Sequence, residues 1–235
     1  MAFLGCKCAF EIVYGNCDKS FTALPWCMAA LQHMNPGTFV EWKHDRSPDF
    51  LQNLFRYVFW AFKPSIDGFV HCRPFISIDG IHMCGKYDMK MLIAVGVDAN
   101  GQIFLIAFAI CANESQETWT WFINHLEEHV VKQRSGVCLI SDRYGGILSS
   151  VRALDEWKEL YGYYRYCVRH LKANFQRAYP NKSLHDLMWI ATTDHQERKF
   201  LMQMEFISQE DEEAYLWLRN LEIEKRTLHK DDGRR

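Results

Sequence analysis

An apolar run that ends in an aspartate is the feature that most constrains this chain. Residues 75–79 (FISID) have the length and composition of a buried strand, and a glycine-bearing loop follows them as far as Tyr87. A carboxylate at the end of a buried strand is costly unless a partner compensates its charge. Metal ions and polar substrates are the usual partners. The run therefore predicts a site at Asp79 that requires a second polar group nearby.

A second run of the same kind, residues 137–142 (VCLISD), ends at Asp142. It is apolar throughout, as a central strand buried on both faces should be. Two aspartates at adjacent strand ends could hold Mg²⁺, which prefers oxygen ligands and keeps several waters. With a third acid, two ions could support an in-line displacement at a phosphate. Taken singly, each aspartate is more simply a turn residue after a strand, but the pair favours the metal interpretation.

The order of the remaining elements predicts an α/β fold. Before Asp79 the pattern predicts a helix capped by Ser20, a strand at residues 38–42 and a helix at residues 48–62. An Asn-Gly turn at residues 100–101 joins two apolar runs and predicts a hairpin. From Asp79 onward the predicted strands occupy residues 75–79, 89–98, 103–111, 137–142 and 163–168, with helices after the third, fourth and fifth.

Three antiparallel strands followed by alternating helices and strands are typical of a ribonuclease-H-like mixed sheet. In that arrangement the first and fourth strands are neighbours, which would bring Asp79 and Asp142 together; this adjacency is an inference from the fold class. We expect a helix-and-strand segment at residues 1–70, the core at 71–180 and a helical extension at 181–235.

Residues 163–177 form the most basic and aromatic-rich part of the chain. Basic side chains there would meet phosphates, and aromatic rings could stack on unpaired bases. The alternative is the solvated face of a strand and a helix. The candidate DNA contacts are Arg165, Arg169, Lys172 and Arg177, together with Lys86 in the loop after Asp79.

Cys167 and His170 have a Cys-x2-His spacing, which could supply half of a zinc site. A packed thiol beside a histidine bonded to backbone explains the pair equally well, and the sequence leaves both interpretations open.

Composition limits the possible function classes. The formal net charge is -2, which gives no global support for a nucleic-acid binder, so that function must rest on local charge. No apolar run reaches the roughly 18 residues of a membrane span. The 9 cysteines are an odd number, and the start of the chain is a poor signal peptide, so we expect reduced thiols.

Together the motifs resemble the transposase domain of Mutator-like elements, DNA transposons of plants and fungi. The blocks FISIDGIHMCGKY, LISDRYGGILSSV and YRYCVRHLKANF follow in the family's order, with Ile81 where that family usually has threonine. The resemblance implies a DDE-type site that cuts and joins DNA with Mg²⁺ or Mn²⁺, with Asp79 and Asp142 as the first two acids. It also implies a plant source, a nuclear location, terminal inverted repeats and target DNA as partners, and a homo-oligomer.

The resemblance places the third acid in a glutamate block that we expect beyond Arg235, so the chain is expected to be a catalytically incomplete fragment. Glu205 is the fallback within the chain, although a solvent-facing helical glutamate is its simpler interpretation. The alternative function is that of a domesticated, transposase-derived DNA-binding transcription regulator without catalysis.

Overall fold

The structure is a computed structural model that describes residues 15–46, 53–84, 86–132, 134–154, 157 and 162–233. Within these ranges a seven-stranded sheet forms the centre of the fold. Its strands are β1 (Phe39–Arg46), β2 (Asn53–Ala61), β3 (Phe75–His82), β4 (Lys90–Val97), β5 (Ile103–Cys111), β6 (Val137–Ser141) and β7 (Gly162–Tyr166).

The sheet is mixed, with the strand order β1-β2-β5-β4-β3-β6-β7. The ladders from β1 to β3 are antiparallel, whereas β3 pairs with β6, and β6 with β7, in parallel. The predicted α/β class is therefore confirmed. The predicted adjacency of the first and fourth core strands, which are β3 and β6, is confirmed as well.

Helices precede, separate and follow the strands. They are α1 (Cys17–Met34), α2 (Lys63–Gly68), α3 (Gln116–Leu126), α4 (Gly145–Ala153), α5 (Val168–Ala178), α6 (Lys182–Thr193), α7 (Glu197–Glu210), α8 (Glu212–Arg219) and α9 (Ile223–Arg226). A short 3₁₀ turn, Phe69–His71, follows α2, and α3 continues through a wider turn, Glu127–Val131. Helices α6 to α9 lie within residues 181–235, where the sequence predicts helical structure.

The ends of several elements follow from local side chains. Ser115 accepts a hydrogen bond from the Thr118 amide at 3.2 Å and caps α3, as predicted. The cap of α1 is Asn16 rather than Ser20, because the Asn16 carboxamide accepts from the Asp18 amide at 2.9 Å. The β4–β5 hairpin also forms as predicted, and its turn uses Gly101 at φ 82°.

The helix predicted at residues 48–62 is wrong over its described part, which is strand β2. Residues 53–61 pair with both β1 and β5, so β2 is an interior strand of the sheet. Its residues Tyr57 to Ala61 are all buried, with exposures between 0% and 8%. A run this rich in aromatic residues favours the pleated surface of a strand, where both faces can be covered. Helical spacing alone could not distinguish the two structures.

Two apolar layers cover the sheet. On one face a large core runs from Tyr57 to Tyr166 and includes Trp119 and Phe122 of α3. On the other face α1 contributes Met28 to a smaller cluster with Val58 and Trp60. The sheet is therefore buried on both sides where β2 and β5 lie.

Helices α5 to α8 build a separate apolar cluster, which includes Leu171, Phe175, Met188 and Ile207. Strands β1 and β2 precede residue 70 and nevertheless belong to the same sheet as β3–β7. The predicted divisions at residues 70 and 180 stay predictions. Among the described helices, none combines the length and apolar character required to cross a membrane. Cys6 and Cys8, which form a Cys-x-Cys pair in the sequence, lie outside the described residues.

Candidate metal-binding carboxylate site

The ends of β3 and β6 bring the two predicted aspartates to one edge of the sheet. Ser77 of β3 is in register with Ile140 of β6, and each aspartate stands two residues further along its chain. Neighbouring strands lie about 4.8 Å apart, and residues in register point to the same face of a sheet. Asp79 and Asp142 are therefore neighbours through strand pairing, as the sequence predicts.

Local backbone hydrogen bonds orient both carboxylates. The Gly80 amide donates to Asp79 Oδ1 at 2.9 Å, and the Tyr144 amide donates to Asp142 Oδ1 at 3.0 Å. The Asp79 side chain is 55% exposed, and Asp142 is half-buried. Both groups are thus held at the surface of the sheet edge, where a hydrated ligand can reach them.

A third carboxylate, Glu114, lies beside this pair and was missed in the sequence. It follows β5 and directly precedes the α3 cap Ser115. A Cβ atom placed on Gly80 would lie 2.6 Å from Glu114 Cδ and Oε2, so the Glu114 carboxylate rests directly over the Gly80 backbone. Only a glycine next to Asp79 leaves room for that close approach. An acid after a third apolar strand is the signal that could have identified it.

Charge interactions indicate that Glu114 and Asp142 lie near each other. Burial raises the pKa of Glu114, and the negative charge of Asp142 raises it further, whereas Lys90 and His82 lower it. A carboxylate that is half-buried next to a like charge is the arrangement that a bound cation relieves.

Tyr144 links the loops that carry these acids. Its hydroxyl donates to the Glu114 carbonyl oxygen at 2.7 Å, and its amide holds Asp142. A Cβ on Gly146 would lie 2.8 Å from the Tyr144 ring and 3.2 Å from the Ser115 carbonyl carbon. The start of α4 therefore packs tightly against the start of α3, and this contact fixes the two loops relative to each other.

A buried lysine borders the acids on the β4 side. Lys90 is 8% exposed; its Nζ lies 3.0 Å from Asp88 Oδ1 and contacts His82 Nδ1 across the β3–β4 ladder. The thiol of Cys111 donates to the Lys90 carbonyl oxygen, and burial followed by the charge of Glu114 raises the Cys111 pKa to about 12. Cys111 is therefore a protonated structural thiol.

The predicted Cys-x2-His pair lies at the start of α5. The Cys167 amide donates to the Ser141 carbonyl oxygen at 2.6 Å, which ties the end of β7 to β6. His170 Nε2 lies 3.7 Å from Asp79 Oδ2, and its Nδ1 is buried and has no hydrogen-bond partner in the part of the chain that the structure describes. His170 thus faces the carboxylate site. Among the described residues, no third His, Cys, Asp or Glu completes a compact ligand group with Cys167 and His170.

The residues predicted to bind DNA differ in their exposure to solvent. Arg169 and Arg177 are exposed on α5, and Lys172 Nζ lies 4.6 Å from the Trp189 ring centroid. Lys86 forms an ion pair with Asp18 at 2.8 Å. Arg165 requires a correction, because it is only 3% exposed and donates to the Tyr164 carbonyl oxygen. The buried Arg165 guanidinium therefore has little access to a DNA duplex at the surface of the protein.

Glu205, the fallback third acid, lies exposed on α7, where it accepts from Gln209 Nε2 at 3.5 Å. That helix packs against α6 and α8. Among the described residues, Glu205 forms no hydrogen bond or ion pair with Asp79 or Asp142, and the acid that accompanies them is Glu114.

The donor set suits a hard divalent cation. It consists of carboxylate oxygens, which Mg²⁺ and Mn²⁺ prefer to sulfur or nitrogen. In the described part of the chain these oxygens do not all approach within 4.8 Å of one another. An ion that keeps part of its water shell, as Mg²⁺ does, does not require all of its protein ligands to lie close together.

Comparisons with known proteins show similarity to transposases. Residues 75–174 match the family model of the MULE transposase domain. Over 84 residues the chain is 31% identical to the transposase for insertion sequence element IS256 in transposon Tn4001 of Staphylococcus aureus. The protein of the same name from Enterococcus faecalis (strain ATCC 700802 / V583) gives the same identity over the same length.

Each alignment covers 34% of this chain and 21% of the relative, so the matched part of the chain spans about a fifth of these curated relatives. Both relatives are bacterial, and the plant source therefore stays a prediction. Asp79, Glu114, Asp142 and His170 all lie inside the segment that matches the family model. Residues 75–174 are similar to MULE transposases, and 84 residues of the chain are similar to IS256 transposases; this similarity supports a transposase-family function.

Proposed function

We propose that this chain is the core of a DNA transposase that cuts and joins DNA strands at element ends. The observation that carries the proposal is the meeting of Asp79, Asp142 and Glu114 at one sheet edge, inside the segment that matches a transposase family. The sheet supports a ribonuclease-H-like core, because three antiparallel strands, β5-β4-β3, are extended in parallel by β6 and β7.

The three carboxylates would hold a divalent cation, and Mg²⁺ or Mn²⁺ agrees best with their all-oxygen chemistry. When bound, such an ion activates a water or hydroxyl nucleophile and stabilises the leaving oxygen of a phosphodiester. Asp79 and Asp142 are the fixed ligands, because backbone amides orient both. Glu114 is the third ligand; burial, followed by the negative charge of Asp142, raises its pKa, and a bound cation would offset that shift.

The other residues of the site have supporting roles in this proposal. His170, 3.7 Å from Asp79, orients that carboxylate. The buried Lys90 adds a fixed positive charge near Glu114 and limits the repulsion among the acids. Arg169 and Arg177 on α5 supply exposed charges for the DNA backbone, which dominates the affinity of proteins for DNA.

Strand cleavage by a longer form of the protein that continues past Arg235, on DNA that carries the terminal inverted repeats of the encoding element, tests the proposal. We expect cleavage to require Mg²⁺ or Mn²⁺ and to fall at least 100-fold in Asp79→Asn and Asp142→Asn. Asp67→Asn is the matched control, because Asp67 pairs with Lys63 on α2, away from the acids. Cleavage by Asp79→Asn at the rate of the parent would refute the assignment.

The same experiment addresses the alternative of a regulator without catalysis. Binding to repeat DNA with no cleavage under any divalent metal would favour that function. The retention of both predicted aspartates, with Glu114 beside them, supports the enzyme instead. The homo-oligomer and the nuclear location stay predictions.

A further inference from the structure

A second group of potential metal ligands lies on α3, remote from the carboxylate site. His125, Glu128 and His129 each bring one ligand atom within 4.8 Å of the others, and no other three-residue group in the described ranges does so. Glu114 precedes α3, and His125 stands nine positions after Gln116, the first residue of that helix, which corresponds to about 14 Å along a helix axis. The two groups of ligands are therefore distinct.

The backbone here is shaped to bring these side chains together. Histidines four residues apart share one face of a helix, which is the spacing that helical zinc motifs use. Directly after His125 the helix widens over Glu127–Val131, and the Lys132 amide donates to the Glu127 carbonyl oxygen at 2.7 Å, five residues back. Such wide turns inside helices occur frequently at functional sites.

His125 has an unusual environment for a polar ring. Both of its ring nitrogens are buried, and neither has a hydrogen-bond partner among the described residues. Its ring packs against Phe59 and Trp121, with centroids 5.2 Å and 4.8 Å away. A buried imidazole without any hydrogen bond is costly and calls for an explanation, such as a bound ion. Aromatic packing explains its burial but not its two unpaired nitrogens.

His129 and Glu128 complete the group at the protein surface. The His129 ring stacks on Phe39 with centroids 3.6 Å apart, which fixes it beside β1. Its Nε2 lies 3.7 Å from Glu128 Oε2, and the Glu128 side chain is 69% exposed. Glu41 of β1 also interacts electrostatically with His129. A ligand that enters from solvent would thus meet Glu128 first and His125 last.

We propose that His125, Glu128 and His129 bind a transition-metal ion, with Zn²⁺ as the preferred ion and a water as the fourth ligand. Two imidazoles and one carboxylate suit Zn²⁺, which binds at about 2.0–2.2 Å from nitrogen and oxygen. Mg²⁺ is a poor competitor, because it prefers oxygen ligands. Binding requires the two imidazole rings to turn toward a common point, and His129, which stacks on Phe39 of β1, would place the ion near that strand.

Zn²⁺ titration of the metal-free protein tests this site. The background is Asp79→Asn with Asp142→Asn, which removes the carboxylate site as a competitor. We expect one tightly bound equivalent of Zn²⁺, and with Co²⁺ a visible absorption band typical of tetrahedral nitrogen and oxygen ligands. Millimolar Mg²⁺ should leave the Zn²⁺ affinity unchanged.

Variants locate the ion. Glu128→Gln and His129→Asn should each weaken Zn²⁺ binding at least tenfold, and Glu127→Gln, which makes the same charge change one residue away, should not. Glu128 is exposed, so its variant keeps the fold even if His129→Asn does not. Equal Zn²⁺ affinity in the parent and in both Glu128→Gln and His129→Asn would overturn the proposal, because a cysteine site or a surface site would then hold the ion.

Discussion

At the scale of single residues, the ionised Glu114 carboxylate should lower the stability of the fold while it serves the proposed metal binding. Its pKa in the folded protein is raised above the ordinary value of 4.5 by burial and by Asp142. The folded state therefore holds this proton more tightly than the unfolded state. The contribution of Glu114 to stability is fully present below pH 4.5 and is lost as the pH rises through the raised pKa.

Replacing Glu114 by Gln should remove this penalty while it disables metal binding. We expect Glu114→Gln without metal to be at least as stable as the parent at pH 7, with a smaller loss of stability between pH 4 and pH 7. Urea unfolding at the two pH values measures both effects. A variant that is less stable than the parent at pH 7 by more than about 1 kcal/mol would show that the carboxylate stabilises the fold.

Gly80 should be essential for the site and dispensable for the fold. An alanine Cβ there would meet the Glu114 carboxylate at 2.6 Å, but that carboxylate is the flexible end of a side chain and can move. We expect Gly80→Ala to change the free energy of unfolding by less than about 1 kcal/mol. Cleavage should fall on the order of 100-fold, because a shift of about 1 Å at a catalytic group has that effect.

Gly145→Ala is the control for Gly80→Ala, since among the described residues no atom other than those of its chain neighbours and its own helix backbone lies within 4 Å of a Cβ at Gly145. It should leave both stability and cleavage near the values of the parent. Equal activity of Gly80→Ala and the parent would mean that the position of Glu114 does not matter for the reaction.

The sequence predicts Asp79 and Asp142 because each ends an apolar strand, a pattern that lies within a few consecutive residues. Glu114 gives a weaker local signal, because two residues separate it from the end of β5, and its contact with Gly80 joins residues 34 positions apart. The burial of Arg165 could not be predicted from the sequence either. The residues of β7 (GYYRY) do not alternate between polar and apolar in a way that tells an inward arginine from an outward one.

At the scale of elements, substitutions in β2 test whether this segment is an interior strand of the sheet. Phe59 is fully buried and packs against Phe39 and Phe122, with centroids 5.9 Å and 5.6 Å away. Phe59→Ala should lower the free energy of unfolding by about 3–5 kcal/mol. Leu54→Ala on the same strand should change it by less than about 0.5 kcal/mol, because Leu54 is 51% exposed.

Denaturant unfolding of both variants measures this contrast. A helix over residues 48–62 would bury Leu54 and Phe59 on one side and give similar losses. Comparable destabilisation by the two substitutions would therefore contradict β2 as an interior strand. The sequence alone misses this strand because its apolar residues satisfy helical spacing, and only pairing with β1 and β5 decides the outcome.

At the scale of the whole molecule, the site depends on pairing between distant parts of the chain. The ladder between β3 and β6 joins residues that are 63 positions apart, as Ser77 and Ile140 are. The element order predicts this ladder through a fold-level rule, whereas no local pattern contains it. The place of β1 and β2 in the same sheet has no local signal either, since β2 pairs with β5, which follows the first aspartate in the sequence.

Because three segments distant in sequence supply the acids, a bound cation should stabilise the entire fold. A ligand that binds only the folded state adds about 1.4 kcal/mol to the free energy of unfolding at ten times its dissociation constant. We expect Mg²⁺ to produce this gain at neutral pH. The gain should shrink at low pH, where the raised pKa keeps Glu114 protonated.

Thermal or urea unfolding of the parent, Asp79→Asn, Asp142→Asn and Asp67→Asn, each with and without Mg²⁺, measures the coupling. The first two variants should lose the gain, and Asp67→Asn should retain it, because its ion pair with Lys63 on α2 lies outside the site. Equal stabilisation of all four proteins would assign the effect of Mg²⁺ to general screening of charge. The other outcome is that the stabilisation by Mg²⁺ disappears only when Asp79 or Asp142 is replaced. That result would link the carboxylate site at the ends of β3 and β6 to the stability of the whole sheet.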